Sequence, residues 1–222
     1  MSEGSSHREA TTESTYIDLG ADTKEGFSIS SRSRALARTA LGSATEEDRI
    51  KQRCSIAVGD FEMAKLLRFE GDPIDSGLKA LAEGAPILVD IRMVQVGIQK
   101  KGHRSQVKCF LDYGQEISRE TGITRTSAGI GALKDEVDGA IIVIGNAPSS
   151  LLVLCDMIKQ GKRPALVIGC AVGFVNAAES KALLRTVPVP SISVEGTRGG
   201  TPVAVAALNE IITIFSEREH AQ

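Results

Sequence analysis

Along the second half of the chain, apolar and polar positions follow one grammar three times. A short apolar run is followed by a glycine-containing corner and then by an alanine-rich helical stretch. The copies are AIIVIGNAPSSLLVLCDMI from Ala140, ALVIGCAVGFVNAAESKALL from Ala165 and VPSISVEGTRGGTPVAVAALNEII from Val189. Each apolar run is short, uncharged and rich in β-branched residues, the pattern of a strand buried on both faces of a parallel sheet. The glycine corners fall where strand gives way to helix, so backbone amides can approach a ligand at the carboxyl end of the sheet. Three such corners side by side predict one binding rim.

The first half adds helices and two more strands. From Gly26 to Leu41 the pattern is helical, with Arg32, Arg34 and Arg38 closely spaced. Thr45 followed by Asp48 reads as a capping box that opens a helix over EEDRIKQRCSIAV. A further helix runs from about Pro73 to Glu83 and ends at Gly84. PILVD, closing on Asp90, is one strand candidate and QVKCFL, from Gln106 to Leu111, is another. Helical stretches over Gln115–Thr121 and Ser127–Val137 precede the three repeated units. The expected fold is therefore α/β, a three-layer α/β/α sandwich with a mainly parallel sheet of about five strands and right-handed crossovers. Residues 1–16 are polar and without periodicity and read as a mobile tail, leaving 17–222 as a single domain.

Composition narrows the function classes. A formal charge of −2 over 222 residues gives no bulk attraction to nucleic acid, and without tryptophan there is little to stack bases on. No apolar run approaches the roughly 18–20 residues needed to span a bilayer. The polar start lacks a secretory signal, which makes the cytoplasm the expected location. Cys54, Cys109, Cys155 and Cys170 are far apart in sequence and read as reduced and mostly buried, with no ligand spacing for a metal.

Candidate chemistry sits at the corners. GTRGG, Gly196 to Gly200, opens the last helix, where free amides and Arg198 suit a phosphate or carboxylate; a plain tight turn is the bland alternative. TRTSAG, Thr124 to Gly129, places Arg125 between Thr124 and Thr126 just before a helix, as an anion clamp or as a simple N-cap. Asn146 in GNAP fits ligand contact and helix capping equally, and Cys170 occupies a corner. Asp90 ends a strand, placed for binding or acid–base work or for holding loop amides. Asp60 and Glu179 are similar cases, with Lys181 and helix solvation accounting for Glu179. His103 is the one histidine outside the polar termini that hold His7 and His220. Neither GxxxxGK[ST] nor GxGxxG is present, which argues against a nucleotide-phosphate loop.

Together, GAPILVDIRMVQVGI, TRTSAG, AIIVIGNAPSSL, PALVIGCAVGFVNAAESK and GTRGGTPVAVAALN resemble, in the same order, the precorrin-8X methylmutase family of cobalamin biosynthesis. That resemblance implies a homodimeric α/β isomerase with no metal or nucleotide cofactor, acting on precorrin-8X or cobalt-precorrin-8. The reaction it implies moves a methyl group from C11 to C12 and yields hydrogenobyrinate or its cobalt form. A corrinoid with acetate and propionate arms asks for separated arginines, here Arg32, Arg125 and Arg198, and for amide-lined corners. Asp90, Thr124, Thr126, Asn146, Cys170, Gly173, Gly199 and Gly200 complete the expected binding set. Met93, Val94, Val172 and Phe174 are candidates for an apolar floor under the ring.

The chain departs from the family where members read R-x-x-H-A-x-G with histidine as the proposed acid. Here the string is Arg53-Cys54-Ser55-Ile56-Ala57-Val58-Gly59, with Ile56 in the histidine's place. Thr197 replaces a usual arginine and Ala171 a usual proline. Cys54, Ser55 or His103 from a neighbouring subunit are the possible substitute donors. Two alternatives stay open at this level: a relative that binds tetrapyrroles without the methyl shift, and an enzyme that uses the corners for a phosphorylated metabolite.

Overall fold

The computed structural model describes residues 23–221; the polar tail 1–16 and His7 lie outside the described residues. Five parallel strands run through the core: β2 (Ile87–Val89), β3 (Val107–Cys109), β4 (Ile141–Ile144), β5 (Leu166–Gly169) and β6 (Ser191–Val194). A sixth, β1 (Leu67–Glu70), lies antiparallel on the β6 edge, and the sheet order is β1-β6-β5-β4-β2-β3. β1 is the strand that the apolar pattern does not predict. LRFE alternates apolar with charged residues, carries neither a long apolar run nor a turn signal, and sits at an edge, where one partner suffices.

Helices cover both faces. The face bearing Ile87, Val89, Ile141, Val143, Leu166, Ile168, Ile192 and Val194 packs on α2 (Glu46–Val58), α4 (Pro73–Glu83), α5 (Arg92–Gly97) and α10 (Thr201–His220). The opposite face, with Leu88, Ile142, Ile144 and Val167, packs on α7 (Arg125–Ala132), α8 (Pro148–Lys159) and α9 (Ala177–Leu184). Consecutive residues of one strand thus feed two separate apolar cores, as the pleat requires. α10 lies between the sheet and α2, so twelve of its residues are buried and it is apolar nearly all round. α1 (Lys24–Leu41) lies on α2, the four-residue α3 (Met63–Leu66) leads into β1, and α6 (Gln115–Thr121) packs on α7. The architecture is the expected three-layer sandwich with a mostly parallel sheet of six strands.

Local signals hold where they were strong. The Thr45 hydroxyl accepts from Asp48 N at 3.1 Å while the Asp48 carboxylate accepts from Thr45 N at 3.0 Å, a complete capping box. Gly84 ends α4 in the left-handed region at φ 70°. All four cysteines are free and buried. Among the described residues no helix is long and apolar enough to cross a membrane.

Candidate active site

The corners gather at the carboxyl ends of β2, β4, β5 and β6. Asp90, the residue after β2, is fully buried. Its Oδ1 accepts from Gly145 N at 3.1 Å, and its Oδ2 from Asn146 N at 2.7 Å and Ala147 N at 2.8 Å. Burial pushes this carboxyl above its usual value, while the amides of Ala147, Asn146 and Gly145 pull the other way. Of the two roles that its position allows, Asp90 fills that of a staple for the GNAP loop. Both its oxygens are occupied and neither faces the rim. Asn146 does not cap the following helix, whose N-cap is Ala147 without a side-chain bond; its side chain is exposed at the rim.

The third corner wraps around the second. Gly200 N donates to the Cys170 carbonyl at 2.6 Å, and Gly173 N donates to the Thr197 carbonyl at 3.1 Å. Gly199 has φ 146°, and a Cβ there would stand 2.3 Å from the Cys170 carbonyl oxygen, so only glycine closes this contact. Arg198 projects outward and pairs with Asp60 at 3.1 Å. Beneath the loop, fully buried Lys181 of α9 donates through Nζ to the Arg198 carbonyl. Burial lowers the Lys181 ammonium to about 8. The Cys170 thiol is itself buried and pushed up to about 12, so it contributes its carbonyl to the corner and not a ligand-facing sulfur.

At TRTSAG, Thr124 caps α7. Its hydroxyl accepts from Ser127 N at 3.3 Å and lies 2.8 Å from the Ser127 hydroxyl, 2.8 Å from that of Ser149 and 3.3 Å from that of Thr126. Thr126 is buried, whereas Arg125 is exposed and touches the Leu111 carbonyl at 3.4 Å. The N-termini of α7 and α8 therefore meet at a cluster of hydroxyls flanked by a guanidinium.

Ile56 stands on the last turn of α2, at the wall of a cleft of about 620 Å³ between α2, α5 and α10. Val96, Ile98, Val205 and Ala206 make the cleft apolar, and Arg53 and Lys100 are the charged residues lining it. Asn209 shapes its floor, accepting from Gln99 N at 3.0 Å and donating to the Gly97 carbonyl at 2.9 Å. Arg53 is committed inside the protein, its NH1 3.0 Å from buried Glu210 and 3.0 Å from the Thr213 hydroxyl. Met93 is 61% exposed and Phe174 is 93% exposed, both at the carboxyl end of the sheet. Val172 is exposed there too.

Several expected site residues lie elsewhere. Val94 is buried against the GNAP corner and cannot be part of a floor. The Cys54 thiol faces the Val203 carbonyl at 3.6 Å, and burial pushes it well above its ordinary value. Ser55 is buried too, its hydroxyl without a partner among the described residues. His103 precedes β3, at the amino end of the sheet, with its ring bonded to the Gln99 carbonyl at 2.8 Å and to Ser105 N at 3.2 Å. None of the three replaces histidine within this chain's own cleft. Arg32 is exposed on α1 and makes no ion pair with the rim among the described residues. Lys181, Ser149 and the Val205–Asn209 side of α10 were missed. Lys181 had a signal: Ala177, Ser180, Lys181 and Leu184 form the buried stripe of α9 at helical spacing.

The family model described as CbiC, precorrin-8X methylmutase, matches residues 28–214. The cobalt-precorrin-8 methylmutase of Methanocaldococcus jannaschii is 40% identical over 215 residues, covering 91% of this chain and 100% of that protein. The precorrin-8X methylmutase of Pseudomonas aeruginosa is 37% identical over 179 residues, covering 78% of this chain and 85% of that one. A crystal structure of precorrin-8x methyl mutase from Thermus thermophilus superposes with a TM-score of 0.80 at 37% identity, covering 86% of this chain and 97% of that chain.

Proposed function

The chain belongs to the precorrin-8X methylmutase family, and from that premise we propose how its own residues carry the family's isomerisation. It is an isomerase of cobalamin biosynthesis. The corrinoid, precorrin-8X or its cobalt form, lies across the carboxyl ends of β2, β4, β5 and β6. Arg198 and Arg125 grip its carboxylate arms, with the hydroxyls of Thr124 and Ser149 between them. Exposed Met93, Val172 and Phe174 face the ring. The edge that carries the migrating methyl enters the cleft beside Ile56.

The observation that carries this reading is the cleft itself. It is apolar where a ring edge would sit, with Pro202 in its wall just past the GTRGG corner, whose Arg198 reaches Asp60 beyond the end of α2. With isoleucine in the wall, this chain supplies no general acid from α2. General acid catalysis is worth about 10²–10⁴-fold, so what remains is alignment of the ring and screening of its carboxylates. The protein is therefore a slow methylmutase that acts through shape. A homodimer is part of the proposal, supported by exposed Val175 beside the rim; sedimentation at micromolar concentration reads it directly. Cytoplasmic location is likewise proposed, on the strength of the family's biosynthetic role.

Purified protein incubated with precorrin-8X should produce the absorption spectrum of hydrogenobyrinate at a low rate. Tight hydrogenobyrinate binding with no turnover, even at stoichiometric enzyme, would instead make the chain a tetrapyrrole binder. Stabilisation by nucleotides with indifference to corrinoids would overturn the substrate class as well.

A further inference from the structure

We propose that Lys181 is a positioning residue, whose buried amino group holds the Arg198 corner in the shape that grips a ligand carboxylate. This rests on the reading of the corner given above. Three observations converge on it. Lys181 is completely buried, although lysine is among the residues least often found so. Its one hydrogen bond goes to the main-chain carbonyl of Arg198, the residue whose exposed side chain pairs with Asp60. The same loop is clasped from its other side by Gly200 N on the Cys170 carbonyl and by the close passage of Gly199 over that oxygen. Lys181 therefore fixes the main chain at Arg198, and the glycines fix it one residue later.

A buried amine with a single acceptor is a poor device for stability, because desolvation of the charge exceeds what one hydrogen bond returns. The groups around it do not neutralise it. Cys170 lies near it just past β5 as a thiol, and Arg185, the residue after α9, adds like charge while bonded to the Ser193 hydroxyl at 3.1 Å. Arg198 turns its guanidinium away, to Asp60. Lys181 therefore acts through the main chain: it costs stability in the free protein and in return fixes the carbonyl of the residue that carries the guanidinium.

The test uses the full chain and Lys181→Met, which keeps the length and removes the donor. Hydrogenobyrinate binding should weaken about tenfold while the melting temperature stays level or rises. KM for precorrin-8X should rise with kcat little changed. Because Lys181 acts through Arg198, the double variant Lys181→Met/Arg198→Ala should bind no more weakly than Arg198→Ala alone. In the free protein, hydrogen exchange at the Gly200 amide should speed up in Lys181→Met. Unchanged Gly200 exchange overturns the proposal whatever the ligand does. So do unchanged hydrogenobyrinate binding, a variant that fails to fold, or additive losses in the double variant. If the wild type itself ignores hydrogenobyrinate, the corrinoid reading fails, and Gly200 exchange still decides whether Lys181 holds the corner.

Discussion

Asp90 offers the cleanest separation of a structural carboxylate from a catalytic one. In Asp90→Asn the remaining carbonyl oxygen can keep the short pair, Asn146 N at 2.7 Å and Ala147 N at 2.8 Å. The new amide NH₂ then confronts Gly145 N, 3.1 Å from the oxygen it replaces, donor against donor. One hydrogen bond to a charged acceptor is worth about 1.5–3 kcal/mol. Part of that returns, because burial already disfavours the ionised carboxyl. A net loss of about 1–2 kcal/mol follows. Asp90→Ala orphans all three amides at about 1–3 kcal/mol each before the loop relaxes, and about 4 kcal/mol is expected. Urea unfolding checks this. With a slope of about 2 kcal/mol/M, the asparagine variant loses up to about 1 M of midpoint and the alanine variant about 2 M, both at unchanged slope. Hydrogenobyrinate binding should follow stability, falling modestly in the first and strongly in the second. An asparagine variant as stable as wild type but devoid of turnover would refute the staple and make Asp90 an acid–base group.

Ile56→His should raise the rate of hydrogenobyrinate formation by about 10²-fold or more, with a pH profile reporting the new imidazole. No gain in a folded variant would mean that the cleft beside Ile56 does not hold the reacting edge. Gly199→Ala should cost more than about 3 kcal/mol, because its Cβ meets backbone that cannot yield. Gly196→Ala, with φ 72° but open space around it, should cost only about 1 kcal/mol; equal melting-temperature losses for the two would contradict the clasp. Lys181 also gives a pH signature. Between about 8 and the ordinary lysine value of 10.5 the unfolded chain keeps a proton that the folded one has released, so this residue adds stability as pH rises through that window. The buried thiols Cys54 and Cys170 titrate in the opposite sense, so the quantity to follow is wild type minus Lys181→Met, and a flat difference would show Lys181 to be solvated.

Much of the fold was legible because its signals are local. The runs IIVI and LVIG bury every residue on both faces, and only a central parallel strand asks for that. Thr45 and Asp48 close their box within four residues, so sequence spacing alone finds it. β1 was not legible, because its pairing with β6 joins Leu67 to Val194 across most of the chain and its own pattern is mixed. The site split the same way. Arg125 and Arg198 are exposed at corners as their motifs implied. Cys170 stands in a corner, and Asp90 and Val94 just past β2, but all three are buried, and sequence cannot tell the two faces of a strand end apart. The cleft at Ile56 needed α2, α5 and α10 to be brought together from three distant segments.

The rim itself works differently from what glycine corners imply. An amide-lined cradle requires free N–H groups, yet all three at the GNAP corner, and some at the other two, are spent inside the protein. Gly145, Asn146 and Ala147 donate to Asp90, Cys170 donates to the Ile144 carbonyl, Gly173 to Thr197 and Gly200 to Cys170. Glycine is needed there for close passage of one loop over another. The loops thereby become rigid platforms, each held from beneath by a buried charged residue: Asp90 under GNAP and Lys181 under GTRGG. On the proposed reading, grip on a carboxylate falls to the side chains that the platforms carry, Arg198 above all. The two buried charges differ in kind. Asp90 is met by three amides and so stabilises its loop outright, whereas Lys181 has one carbonyl and a like-charged neighbour. Truncating the first should therefore cost folding before function, and truncating the second function before folding, an ordering that two variants and two assays resolve.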